Sequence, residues 1–304
     1  MASRRTGVYA DDMMRRSSFA VAGAMAVLLV GVFAATPGSQ TVSSSTAGRV
    51  AVGEFVWHDL VTRNPAASRA FYGALFDWTF EAGHGIDPGY VIIKHDGQPI
   101  GGIVQPRDGN AAAAQWLAYV VVADVDQAAK TFEQAGGRIF RGPLDARKDL
   151  RVAVVADAQG APLGLASRGP DLAAPDAVPG LHRWLWMEYV ARDPAAALAF
   201  FGAAIGFRHE LHETRNAFSY YLLTTDRPRA GLFESLWDRE QSAWLPYVRV
   251  ADPAAAAARA VALGGAIVLA PQAAIRNGSL AIVLDPAGAA LALQKYPFDT
   301  GAQP

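Results

Sequence analysis

Two short runs rich in apolar, β-branched and aromatic residues, EFVWHDLV at 54–61 and WLAYVVVA at 116–123, have the composition of β-strands. After the first run comes a helical segment, AASRAFYGALF. Asn64 is placed to cap it and Pro65 fills its first turn. Three short β-rich runs follow, WTFEA, GYVIIKH and PIGGIVQ, separated by Gly and Pro. After WLAYVVVA the order recurs. Asp124 caps VDQAAKTFEQA, Gly136-Gly137 stops it, and RIFRGP, RVAVVAD and PLGLAS follow as strands. The first half of the chain therefore predicts βαβββ twice over.

The second half repeats the first. WHDLVTRNPAASRAFYGALF from Trp57 matches WMEYVARDPAAALAFFGAAI from Trp186. An offset of 129 carries Trp57 to Trp186, Pro65 to Pro194, Phe71 to Phe200 and Gly102 to Gly231. From Trp116 onward an offset of 128 pairs Tyr119 with Tyr247, Asp124 with Asp252, Gly136-Gly137 with Gly264-Gly265, and Asp157 with Asp285. The chain thus reads as a tandem duplication. The expected domains are 51–168 and 181–297, joined by a Pro/Ala-rich linker at 169–180 and followed by a tail at 298–304.

Composition narrows the chemistry. The 304 residues suit two domains, each with its own core. A net charge of −1 with dispersed basic residues leaves no footprint for a nucleic-acid partner. The absence of Cys removes disulfides, thiolate nucleophiles, iron–sulfur clusters and Cys-based zinc sites. Residues 19–35 form an unbroken apolar run behind Arg15 and Arg16, followed by small polar residues. Residues 1–35 are thus an export signal or an uncleaved membrane anchor, with a disordered linker at 36–50. Either way the globular part is expected outside the cytoplasm, periplasmic or extracellular, with inner-membrane anchoring as the alternative.

In this order the motifs resemble the vicinal oxygen chelate superfamily, which includes glyoxalase I, ring-cleaving dioxygenases and bleomycin-resistance proteins. The matching features are N/D-P…AFY/FFGA, the strand–AD–helix–GG unit, and the closing DAQGAPLGL and DPAGAALAL, each present in both halves. The resemblance implies an α+β fold, two tandem domains, each of two βαβββ modules forming a curved sheet around a cavity. That cavity holds a small molecule, often with a divalent metal. In metal-using members one ligand lies on the first strand, where this chain has Trp57 and Trp186. Another lies on the fifth strand, here Leu117 and Leu245, and a closing Glu is replaced by Gly164 and Ala292. The nearest fourth-strand candidates are Gln105 and Glu234. Three of four positions per half lack a donor atom, so no family-type metal site and no cofactor are expected; a divalent metal is the secondary option.

Strand parity then sorts the first strand. With Trp57 on the cavity face, Phe55 and Asp59 join it, while Val56, His58 and Leu60 face the helix, with Leu185, Met187 and Tyr189 on that face in the second half. His58 has Met187 as its repeat partner and reads as a packed residue. Asp59 matches Glu188, and these acids are the candidate catalytic or ligand-binding groups; an acid bonded to loop backbone or to arginine is the competing reading. Trp57, Trp116, Tyr119, Trp186, Trp244 and Tyr247 are expected to wall the ligand space, or else to be core. His84, His95, His209 and His212 lack repeat partners and read as turn or surface residues. Arg147 and Arg151 flank a loop, either solvated or facing an anionic ligand.

Three functions stay open. The first is an exported, metal-free small-molecule binder of the bleomycin-resistance type. The second is a lyase or dioxygenase with a rearranged metal site built from Asp59, Glu188 or Glu234. The third is a non-catalytic envelope interaction protein. The tandem chain completes its own domain pairing, so a monomer or a homodimer is expected.

Overall fold

The computed structural model describes residues 50–83, 89–106, 114–147, 149–167, 178–215, 218–235 and 242–296. The apolar run 19–35, most of the linker at 169–180, the tail at 298–304 and His84 lie outside them. Among the described residues no helix is long and apolar enough to cross a membrane.

The first half runs β1 (Phe55–Val61), α1 (Pro65–Phe76), β2 (Thr79–Ala82), β3 (Val91–His95), β4 (Gln98–Val104), β5 (Gln115–Val121), α2 (Val125–Gln134), β6 (Arg138–Arg147), β7 (Leu150–Ala156) and β8 (Pro162–Ala166). The second repeats it as β9 (Trp184–Ala191), α3 (Pro194–Ile205), β10 (Arg208–Arg215), β11 (Phe218–Thr224), β12 (Pro228–Glu234), β13 (Ala243–Arg249), α4 (Pro253–Ala262), β14 (Ala266–Leu269), β15 (Leu280–Leu284) and β16 (Ala290–Gln294). Each half is one eight-stranded mixed sheet, ordered β2-β3-β4-β1-β5-β8-β7-β6 and β10-β11-β12-β9-β13-β16-β15-β14. The two βαβββ modules of a half join where their first strands pair, β1 with β5 and β9 with β13, both antiparallel.

Local chemistry starts and stops the helices as expected. Asn64, Asp124, Asp193 and Asp252 each accept a backbone N–H of the first helical turn. Phe71, Tyr72, Leu75 and Phe76 recur at helical spacing and are the buried stripe of α1. After α2, Gly136 takes φ 90° and the Gly137 N–H returns to the Phe132 carbonyl at 2.8 Å.

Both sheets turn their helices inward, so each core is shared between the halves. One core joins β5, α2, β7 and β8 to β9, α3 and β12, around Phe132, Leu163, Tyr189 and Phe201. The other joins β1, α1 and β4 to α4, β15 and β16, around Leu60, Phe76, Val283 and Leu293. Phe132 meets Phe200 edge to face with centroids 4.9 Å apart. Two tyrosines bolt the halves together. The Tyr189 hydroxyl donates to Asp157 at 2.5 Å and the Tyr72 hydroxyl to Asp285 at 3.2 Å. These are the two aspartates of the repeated D-x-x-G turns. Burial, opposed by hydrogen bonds to each turn, raises the pKa of both above the ordinary aspartate value.

Two strand-parity expectations need correction. Phe55 packs against Trp244 and the shared core instead of lying with Trp57. The pairing of β1 with β5 shifts register between Phe55 and Trp57, so Val56 is a bulge residue and the strand changes face there. In β9 the register shifts at the matching place, between Trp184 and Trp186. Leu185 accordingly packs with Trp186 and Tyr247, not with Met187 and Tyr189.

Candidate functional site

The faces of the sheets away from the helices carry two related clusters. On the first, Trp57, Asp59 and Tyr119 are held by β1 and β5, and Tyr90 stands just before β3. The Tyr90 hydroxyl donates to Asp59 Oδ1 at 2.7 Å. The Trp57 indole N–H lies 2.9 Å from both Asp59 Oδ1 and the Tyr90 oxygen. Asp59 is buried, while Trp57, Tyr90 and Tyr119 are half-buried and keep ring surface exposed. Burial, and then the neighbouring Asp59, push the Tyr90 phenol far above its usual range, so it remains a donor at any ordinary pH.

Two glycines let the rings lie flat on the sheet. Gly102 pairs with Asp59 across β4 and β1, and a Cβ there would come within 1.9 Å of the Tyr90 oxygen. Gly164 pairs with Tyr119 across β8 and β5, and a Cβ there would fall 2.3 Å from the Tyr119 ring.

The second face repeats the cluster in closed form. Tyr220 donates to Glu188 Oε1 at 2.9 Å, Tyr247 donates to Oε2, and the Trp186 indole N–H lies 3.4 Å from the Tyr220 oxygen. Arg276 reaches Glu188 Oε1 with Nη2 and Gln294 Oε1 with Nη1, the latter at 3.0 Å. Its guanidinium carbon stands 5.4 Å from the centre of the Tyr247 ring. Burial works against the Arg276 charge, but Glu188 and the two tyrosines outweigh it and hold the guanidinium protonated. Burial, then Glu188, raise both phenols well above their usual range. Tyr247, Ile275, Leu280 and Ile282 complete an apolar plug over this face.

Of the eight site residues expected from sequence, six fall into these clusters: Trp57, Asp59 and Tyr119, and Trp186, Glu188 and Tyr247. Trp116 and Trp244 do not. They stand on the helix face, Trp116 donating to the Tyr72 hydroxyl at 3.1 Å and Trp244 packed on Tyr189 and Phe201. The reason was available in the pattern: their neighbours Leu117 and Leu245 occupy the cavity face, and adjacent strand residues cannot share a face. Tyr90, Tyr220 and Arg276 were missed. The tyrosines reach the acids from 31 and 32 residues away in sequence, and Arg276 from 88.

His58 is buried, stacked on Trp184 with ring centroids 4.1 Å apart, and places Nε2 3.4 Å from the Met187 sulfur. Its repeat partner is thus its physical neighbour, and burial pushes its pKa down to about 3. His95, expected at the surface, is also buried, near His182. His209 and His212 are exposed on β10. Arg151 is paired on the surface with Asp126 and Asp145.

The positions at which the resemblance implies metal ligands carry other chemistry on both faces. On the first, Trp57 offers a hydrogen-bond donor, Leu117 has no polar atom, and the Tyr119 ring fills the space a side chain at Gly164 would need. On the second, Leu245 and Ala292 bring no donor, and both Glu188 oxygens already accept from tyrosine or arginine, with a fixed positive charge alongside. Gln105 lies past the end of β4, exposed, donating to the Arg63 carbonyl, and Glu234 is exposed at the end of β12. Among the described residues no three His, Asp or Glu side chains are grouped to hold an ion. What the first face offers is flat aromatic surface with a buried carboxylate behind it.

Comparison with known proteins agrees with this architecture. A glyoxalase-like domain model matches residues 185–293. The anthracycline biosynthesis protein DnrV of Streptomyces peucetius is 30% identical over 275 residues, covering 83% of this chain and 98% of that protein. CFP32 of Mycobacterium bovis, whose glyoxylase assignment is itself provisional, is 28% identical over 247 residues, 79% of this chain and 93% of that one. The Mn(II)-bound glyoxalase of Novosphingobium aromaticivorans superposes with a TM-score of 0.57 at 14% identity, over 82% and 85% of the two chains, a likeness of fold alone.

Proposed function

The chain belongs to the glyoxalase-like, vicinal oxygen chelate family, and from that premise we propose that it binds a small, flat organic molecule on the first concave face without the family's metal. The observation that carries this reading is the replacement of metal-ligand positions by Trp57, Leu117 and Gly164, with the Tyr119 ring laid over Gly164. Trp57, Tyr90 and Tyr119 supply ring surface for stacking. Asp59 holds Trp57 and Tyr90 in fixed orientation, which lowers the entropy lost on binding. The second face is closed by Arg276 and its apolar plug, so the ligand enters the first. The apolar run at 19–35 supports export, to the periplasm or the exterior, with a retained membrane anchor as the alternative. The shared cores make a single chain self-sufficient, so a monomer is the expected species.

The printed role of DnrV, anthracycline biosynthesis, suggests a planar polycyclic probe. Calorimetric titration of the full chain with a hydroxyanthraquinone should give saturable binding that EDTA leaves unchanged and that Trp57→Ala weakens by about tenfold. Binding that disappears in EDTA and returns with one divalent metal would favour the alternative, a lyase or dioxygenase.

A further inference from the structure

The second concave face has the parts of a cation receptor, and its occupant is the chain itself. Glu188 is buried and oriented by two phenol hydroxyls, Tyr220 on Oε1 and Tyr247 on Oε2. Neither of these two contacts involves arginine. The remaining valence of Oε1, the Gln294 side-chain amide oxygen and the face of Tyr247 then converge on a single planar, N–H-rich cation. Gln294 is itself fixed, its amide donating to the Ser279 carbonyl at 2.7 Å and hydroxyl at 2.9 Å. Carboxylate, amide oxygen and ring face together select a guanidinium over a compact ammonium, because all three match a flat, delocalised charge.

The segment that delivers Arg276 is bent to do so. Arg276, Asn277 and Gly278 take φ values of 46°, 52° and 76° in succession. The first two are L-residues in a region that side chains disfavour, so the arginine is seated at the expense of backbone strain. Withdrawal of the strap relieves that strain, while an empty cradle leaves Glu188 buried without a counter-charge. A molecule that takes the place of Arg276 must therefore bring its own cation.

We propose that the second concave face is a guanidinium-selective site whose resident occupant is Arg276, and that a small molecule bearing a guanidinium or amidinium group competes with Arg276 for it. This holds whether or not the first face binds a ligand. The site takes a cation where the first takes a flat apolar body, so the two halves of the duplication have divided into different recognition surfaces.

Arg276→Gly tests it in the full chain, since glycine suits the left-handed backbone. Propylguanidinium carries the missing atoms, and propylurea is its neutral counterpart. Calorimetry should show propylguanidinium binding R276G at least about tenfold more tightly than the wild type, where Arg276 competes. Propylurea should not share the gain, and adding Glu188→Gln to R276G should abolish it. Equal binding to wild type and R276G, an equal gain for propylurea, or a gain that survives E188Q would each overturn the proposal. Arg276→Asn serves the same test if R276G does not fold. If neither folds in plain buffer, refolding that requires propylguanidinium supports the site, and refolding with neither compound overturns it.

Discussion

His58 is the residue that draws the eye in VWHDLV, and its chemistry is that of a packed neutral ring. Stacked on Trp184 and touching Met187, it has no room for a shell of water. Its folded pKa near 3 lies below the unfolded value of 6.5, so the unfolded chain takes up the proton first. The native state is undisturbed above 6.5 and loses stability as pH falls from there toward 3, by at most about 1.4 kcal/mol per pH unit from this group. Urea unfolding at stepped pH checks this. His58→Met, which installs the residue its repeat partner already carries, should flatten that part of the profile. Gly102 makes a second residue-scale prediction. A Cβ there meets the Tyr90 oxygen at 1.9 Å and Asp59 Oδ1 at 2.6 Å, so Gly102→Ala must push Tyr90 off the carboxylate. Ligand binding on the first face should weaken by about tenfold, read by calorimetry. Trp57 and Asp59 were legible in the sequence because alternation and the repeat both mark them. Tyr90 was not, because it precedes its strand and its repeat partner Tyr220 is one residue out of the 129 register. Arg276 was hidden because it belongs to the segment between β14 and β15, where the halves diverge: a long β6–β7 hairpin stands in the first, a folded-over turn in the second.

At the scale of elements, the order βαβββ and the caps follow directly from the sequence, and what failed was face assignment. Alternation predicts faces only while the register is unbroken, and bulges beside Trp57 and Trp186 break it. A bulge leaves little trace in composition, since Val56 and Leu185 are ordinary strand residues. Trp116 and Trp244 differ for another cause: residue type suggests an aromatic wall, but strand parity with Leu117 and Leu245 puts both indoles on the helix face. The duplication also exposes a weak point in α1. Its C-cap, Asp77, takes φ 59°, while the matching residue after α3 is Gly206 at φ 88°. Asp77 is exposed, and its approach to His182 is 4.0 Å, which contributes little. Asp77→Gly should therefore stabilise the protein by about 1 kcal/mol, a rise in the urea midpoint with an unchanged slope.

The whole molecule is an interlocked pair. Because each core takes residues from both halves, neither half separated at the linker retains a closed core. An ion cluster adds to the seam: Arg229 donates to Glu54 at 2.6 Å and to Asp226 at 2.5 Å, and Arg227 donates to Glu54 at 2.5 Å. Burial pushes the Glu54 carboxyl up, but the Ala51 N–H and the two arginines outweigh it and lower its pKa. The stability it contributes is present above its ordinary value of 4.5 and is lost as pH falls through the lowered one. Glu54→Gln, which removes the buried charge shared by Arg227 and Arg229 and leaves Arg229 only the exposed Asp226, should cost about 2 kcal/mol in denaturant unfolding at neutral pH. The first aromatic face stands on that frame, and the central proposal is that it binds a small molecule with no metal. Calorimetric titration with the hydroxyanthraquinone, on one preparation assayed for metal before and after EDTA, tests it directly. Substoichiometric metal throughout and the same affinity after chelation is the predicted result. One tightly held Fe, Mn, Ni or Zn per chain, with binding lost on its removal and restored on its return, would contradict it.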